Sequence, residues 1–265
     1  MNILKFGGSS IADADKIRHV AGIIEGRKNN SELAIVISAF GGVTDTIKTL
    51  AEYAAVGKNI DATFDSLVAK HTECAEKLSI NNEMNIRRIL DKYFTELKSD
   101  LLFVAKESYL STQSLDKVLS YGELLSTKIL AEYLCQIGIP AEQLDARKVI
   151  LTDNYFGHAF VHYQQSYSRI RTYFKDRSYM QVITGFLGST KTGATTTLGR
   201  SGSDYTAAIF GAALNAEIIE IWTDVNGILS ACLLYTSPSP RDATLSRVPA
   251  WGWKKRGGGG GGGGG

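Results

Sequence analysis

Little in this chain of 265 residues could staple it or carry it across a membrane. Its three cysteines, Cys74, Cys135 and Cys232, are odd in number and far apart. That excludes a disulfide framework and a C-x-x-C metal or redox pair, and leaves them as small apolar fillers. No apolar run approaches the roughly 18 residues that a membrane helix needs, and residues 1–6 lack the basic and apolar regions of a secretory leader. The reading is a cytoplasmic protein with no membrane partner. Charge of one sign is scarce too. The net +2 misleads, because residues 232–265 hold five basic side chains and one acid, a surplus of +4 that leaves −2 on residues 1–231. A mildly acidic body offers nucleic acid no electrostatic footprint. Proline is almost missing from that body, since three of the four, Pro238, Pro240 and Pro249, fall in the final segment.

What is present is ordinary globular material, with 44% hydrophobic and 21% charged residues in a length that can bury a core unaided. Residues 3–6 read as a buried strand running into Gly7-Gly8-Ser9-Ser10, and residues 13–28 carry Ile17, Val20, Ala21 and Ile24 at helical spacing. Residues 33–37 form a second apolar run ending in Ser38-Ala39-Phe40-Gly41-Gly42, with Thr44 placed to cap a helix that reaches about residue 55. Strand, glycine turn and helix repeated in this way predict a parallel sheet covered by helices on both faces. Residues 61–135 are almost wholly helical in pattern and read as a helical insert or lid over about residues 60–137. Sheet character returns in strands over 141–144, 180–185 and 218–222, with a helix over 164–174. A glycine- and threonine-rich loop over 188–202 precedes a helix over 203–214, which Ser203 is placed to cap.

Texture changes abruptly at Cys232, where periodicity stops and the chain ends in an unbroken Gly257–Gly265 run. Residues 232–265 therefore read as a non-native or disordered tail resembling translated cloning material, and residues 1–231 as the domain. A dinucleotide match within the glycine run carries no weight, and no G-x-G-x-x-G follows a strand elsewhere.

Each polar or glycine cluster sits where a strand ends and a helix begins, the place where open α/β sheets bind ligands. Lys5 with Gly7 and Gly8 could offer a point charge and backbone N–H groups to a phosphate, or could be a tight turn beside a solvated lysine. Ser38 with Gly41 and Gly42 makes a second loop of the same kind. Glu123, in Ser120-Tyr121-Gly122-Glu123, fits a solvated helix carboxylate when taken alone. Arg200 and Asp204 lie in the segment 195–206, where a guanidinium fork suits a carboxylate or phosphate. Thr223 and Asp224 follow the last strand, where a carboxylate could meet a ribose, an amine or a magnesium shell. His158 and His162 stand four apart without a third ligand, so no metal site is expected there.

In order and spacing these segments resemble the aspartate kinases. The resemblance covers residues 1–231 and implies the amino-acid kinase fold, a three-layer αβα sandwich around a mainly parallel sheet. It implies ATP and Mg²⁺ as cofactors and transfer of the γ-phosphoryl to the β-carboxylate of L-aspartate, giving 4-phospho-L-aspartate, a first step toward lysine, threonine and methionine. It further implies that Lys5, Gly7, Gly8, Ser38 and Asp204 serve the chemistry and that Ser38, Glu123, Arg200 and Asp204 hold aspartate. ATP would be contacted by Lys5, Gly8, Gly41, Gly42, Thr223 and Asp224. The parent protein is expected to be a homo-oligomer, and the residues around Trp222 lean toward the kinases fused to homoserine dehydrogenase.

The chain departs from the family pattern at Ser201, where Gly or Asn is usual, and at Cys232, where the family continues with Asp-Pro-Arg, further nucleotide contacts and regulatory domains. The nucleotide site is thus expected to be incomplete and the chain as written poorly active. Two other readings stay open: a sister kinase acting on glutamate, acetylglutamate, carbamate or UMP, and a non-catalytic fragment that binds aspartate or sister subunits.

Overall fold

The computed structural model describes residues 1–28, 32–80, 83–175 and 177–222. These belong to the first of two units, Met1–Val225, while the second, Asn226–Gly265, lies outside the described residues. Thr223, Asp224, Cys232 and the expected tail are therefore not described.

Apolar segments without polar alternation can bury both faces, and two of them form β1 (Asn2–Phe6) and β2 (Leu33–Ile37) at the centre of the sheet. With β3 (Ala141–Leu144), β4 (Met180–Thr184) and, last in the chain, Ile218–Trp222, they make a five-stranded sheet. A separate antiparallel hairpin, β5 (Leu187–Ser189) and β6 (Thr195–Thr197), occupies part of the segment expected to be loop. The Ile218–Trp222 strand is then β7, and the order of the large sheet is β3-β4-β2-β1-β7, every pair parallel.

Alternation along the strands divides the core into two layers. Leu4, Phe6, Ile35, Ile37 and Val182 point to one side. There they meet helices α1 (Ala14–Arg27), α2 (Val43–Ala55), α3 (Asp61–Lys77), α4 (Glu83–Glu107) and α5 (Thr112–Gln136). Ile3, Val36, Leu144 and Ile183 point to the other side, against Ile170 of α6 (Tyr163–Lys175) and Phe210 of α7 (Gly202–Leu214). Each fully buried Ile or Leu contributes about 1.5–3 kcal/mol, so this double-sided burial makes β1 and β2 the anchor of the fold. The result is a three-layer αβα sandwich.

The helical stretch read as an insert supplies α3, α4 and α5, but α5 lies inside the sandwich. Its residues from Val118 to Leu134 are nearly all buried, and Gln143 of β3 donates to Leu124 O and Thr127 Oγ1, each at 2.7 Å. Helix α5 is thereby fixed to the sheet and does not form a lid. Cys74 is buried as expected, whereas Cys135 is exposed, its thiol donating to Ala141 O at 2.9 Å. No helix among the described residues is long and apolar enough to cross a membrane.

Parallel register brings the carboxyl ends of the strands to one edge, with Phe6 opposite both Ile37 and Trp222, and Ile37 opposite Thr184. The ladder runs one residue further, through Ser38 N to Phe6 O at 3.3 Å and Gly185 N to Ile37 O at 2.8 Å. Beyond that point the three loops are free to turn over the edge.

Candidate active site

Two glycine loops are locked together at this edge. Gly41 N donates to Gly8 O at 2.9 Å, and a Cβ on Gly8 would stand 2.6 Å from Ala39 O, so only glycine permits the approach. Helices α2 and α7 both begin from left-handed residues, Gly42 with φ 82° and Ser201 with φ 58°, and neither N-cap has a side-chain hydrogen bond. Thr44 and Ser203, expected as caps, lie instead in the first helical turns, because both chain reversals require positive φ two residues earlier. Those first turns, uncapped, present N–H groups and the positive ends of two helix dipoles.

Between the loops is a cleft of ≈ 270 Å³ lined by Lys5, Ser38, Thr44, Glu123, Phe186 and the run from Gly199 to Asp204. Lys5 is buried on the α7 side of β1, and its ammonium lies 2.6 Å from Asp204 Oδ1. That contact is a charge pair without the alignment of a hydrogen bond, and it leaves the Asp204 oxygen with no other donor. Arg200 is exposed and has no carboxylate within ion-pair distance among the described residues.

Glu123 corrects the solvated reading, for it is only 3% exposed. Its Oε1 accepts from Ala39 N at 3.3 Å, and its Oε2 has no partner. Burial raises its pKa from 4.5 to about 8, and the backbone N–H groups of Ala39 and of Glu123 itself only partly offset this. A buried carboxyl with a free oxygen facing a cleft is a ready acceptor for a ligand cation.

Of the candidate residues, Lys5, Ser38, Glu123, Arg200 and Asp204 line this one cleft, while Gly7, Gly8, Gly41 and Gly42 form the loops beside it. Thr223 and Asp224 lie outside the described residues. Phe186 went unremarked in the sequence although it follows β4, and the strand-end rule could have found it. A larger cavity of ≈ 650 Å³ lies at the opposite, amino end of the strands, lined by Met1, Leu33, Pro140 and Met180. Its Lys28 and Arg177 are already paired with Glu25 and Glu142, and none of the candidate residues reaches it. The smaller cleft is therefore the candidate site. His158 and His162 are exposed, and among the described residues no group of three or more His, Cys, Asp or Glu could hold a metal.

The family model of the amino acid kinase family matches residues 1–232. The chain belongs to that family. It is 35% identical over 242 residues to the chloroplastic aspartokinase 1 of Arabidopsis thaliana, covering 86% of this chain and 41% of the relative. It is 32% identical over 230 residues to the lysine-sensitive aspartokinase 3 of Escherichia coli, covering 85% and 49%. The amino acid kinase fold of the chain superimposes on the crystal structure of E. coli aspartokinase III in complex with aspartate and ADP with a TM-score of 0.78 at 31% identity, over 86% of this chain and 50% of that one. The chain thus spans about half the length of these relatives.

Proposed function

We propose that this cleft binds L-aspartate and that the protein is an aspartate kinase, transferring the γ-phosphoryl of ATP to the β-carboxylate. One observation carries the reading. Lys5, Glu123, Arg200 and Asp204, spread over nearly two hundred positions, line a single cleft at the carboxyl edge of the sheet.

Arg200, with no carboxylate partner among the described residues, offers its fork to the substrate's α-carboxylate. Glu123, buried and half-partnered, accepts the α-ammonium, which would also draw its proton off. With both ends of the amino acid held, the β-carboxylate is directed toward Lys5 and the two glycine loops. A carboxylate is already a nucleophile at neutral pH, so no general base is needed, and positioning with charge stabilisation supplies the rate. Asp204 holds the Lys5 ammonium at 2.6 Å, aiming a positive charge at the transferring group. The uncapped first turns of α2 and α7 add N–H donors for phosphoryl oxygens. With no carboxylate cage among the described residues, the cleft suits a magnesium ion carried in on the nucleotide phosphates, where the ion would neutralise charge and order the phosphates. Thr223 and Asp224 are proposed ATP contacts.

Hydroxylamine trapping of the acyl phosphate with aspartate, glutamate and N-acetylglutamate, and ADP release measured with carbamate and UMP, tests the assignment. Trapping with aspartate alone is expected, and trapping with glutamate or N-acetylglutamate instead would move the protein to a sister kinase. The other reading is a non-catalytic protein that binds aspartate or sister subunits without turnover. Calorimetry that finds aspartate binding but no ATP binding would select it.

A further inference from the structure

Helix α5 carries a second buried carboxylate that the proposed chemistry does not touch. Asp116 is 1% exposed and has no basic partner within ion-pair distance among the described residues. Three donors converge on it instead. Thr197 Oγ1 donates to Oδ1 at 2.7 Å, while Thr197 N and Gly157 N donate to Oδ2 at 3.0 and 2.8 Å.

These bonds join three separate segments. Thr197 ends β6, only three residues before Arg200, and the intervening links are also fixed. Leu198 N donates to Phe186 O at 2.9 Å, and Gly199, with φ 77°, lies against His158 so tightly that a Cβ there would stand 2.1 Å from its Nδ1. His158 follows Gly157, so the Gly157 bond to Asp116 holds the other wall of the same turn. On the helix side, Asp116 and Glu123 are seven residues apart, about two turns or roughly 10 Å, and share a face. One carboxylate thus ties the helix that presents Glu123 to the loop that presents Arg200.

We infer that Asp116 is a positioning residue that sets the distance between Arg200 and Glu123, and so tunes the cleft to a ligand with an α-carboxylate beside an ammonium. This rests on the aspartate reading above. In Asp116→Asn the amide oxygen can keep the two N–H donors by turning its NH₂ to the Thr197 hydroxyl, but the negative charge that strengthens all three bonds is lost, so the loop is held less firmly and the Arg200 end of the site should suffer while Glu123 stays in place.

The test is calorimetry with L-aspartate and with isoasparagine, the analogue whose α-carboxylate is an amide. In Asp116→Asn the aspartate Kd is expected to rise about tenfold, the scale of one lost charge-assisted hydrogen bond, with the isoasparagine Kd within about twofold of wild type. The preference between the two ligands therefore collapses. Thr197→Val, which removes only the hydroxyl donor, should shift the preference in the same direction by about threefold. It also serves as the deciding variant if Asp116→Asn does not fold. An unchanged preference in folded Asp116→Asn, or in Thr197→Val where Asp116→Asn does not fold, or equal weakening of both ligands, overturns the positioning role. Wild-type chain that binds no aspartate overturns the substrate assignment and this inference with it, whereas wild type that binds and an Asp116→Asn that matches it overturns the inference alone.

Discussion

Two carboxylates on one helix, Asp116 and Glu123, are almost equally buried, at 1% and 3% exposure, yet the chain treats them oppositely. Asp116 receives three hydrogen bonds, which use its acceptor oxygens and only partly offset the burial that raises its pKa. Glu123 receives one long bond, keeps an oxygen without a partner, and is pushed up to about 8. Burial by itself thus does not mark a binding residue. What separates the framework from the open site is how much of the buried group's bonding capacity the fold has already used.

The largest effect expected is at Lys5, which is balanced at rest by Asp204 and, in the proposed reaction, would face the transferring group. Lys5→Ala should lower turnover by about 10²–10³-fold, the usual cost of removing one aimed charge, and change the aspartate Kd only a few-fold. Steady-state kinetics beside calorimetry would separate the two, and unchanged turnover would remove Lys5 from the chemistry. Next comes Arg200, which is open in every sense. Arg200→Ala should raise the aspartate Kd by about 10–100-fold, the range for a charged hydrogen-bonding group, with no change in thermal midpoint. A fall in the midpoint would mean that the guanidinium is part of the framework after all.

Glu123→Gln sharpens the comparison because its two consequences have opposite signs. Between about pH 4.5 and about 8 the folded state holds a proton that the unfolded state has lost. Stability of the ligand-free chain should therefore fall as pH rises through that window. Glu123→Gln should remove that slope, gaining on the order of 2–4 kcal/mol relative to wild type between pH 5 and pH 8.5, while weakening aspartate binding about tenfold. Wild-type affinity for aspartate should itself rise toward pH 8 as the carboxyl ionises. His71 supplies the internal contrast: buried neutral against Phe40, with its pKa lowered by desolvation to about 4, it costs stability only as pH falls below its ordinary 6.5. Denaturant titrations across pH would resolve the two windows, and a flat alkaline limb in wild type would contradict the open state of Glu123.

The sandwich was legible in the sequence because its signals are local. Leu33–Ile37 and Ile218–Trp222 are apolar runs with turn residues behind them, and Pro140 fences the start of Ala141–Leu144; all three strands lie where expected. The convergence of the strand-end residues followed from parallel topology, since parallel strands put every carboxyl end on one edge. The β5–β6 hairpin escaped because three-residue strands rich in Gly and Thr carry no hydrophobic period. Glu123 looked solvated because its burial is imposed by the Ala39 loop, 84 positions away, and Asp116 gave no signal because its partner Thr197 lies 81 positions on. Both caps were misplaced for a different reason, since positive φ at Gly42 and Ser201 is a property of the chain reversal and not of a capping side chain.

Ser201 offers the smallest and most pointed test of the division between framework and open site. It holds φ 58°, a conformation that costs a residue with a Cβ about 1–2 kcal/mol, and it stands directly between Arg200 and the first turn of α7. Ser201→Gly removes that strain but restores backbone freedom to the unfolded chain, so the net gain in stability should be about 0.5–1 kcal/mol. Because Asp116, Phe186 and His158 fix residues 197–199 just upstream, the position of Arg200 should not depend on the strained residue that follows it. A modest rise in thermal midpoint with an unchanged aspartate Kd is therefore expected. If the midpoint rises and the Kd worsens together, the strain at Ser201 is itself holding the guanidinium, and the framework extends one residue further into the site than the hydrogen bonds indicate.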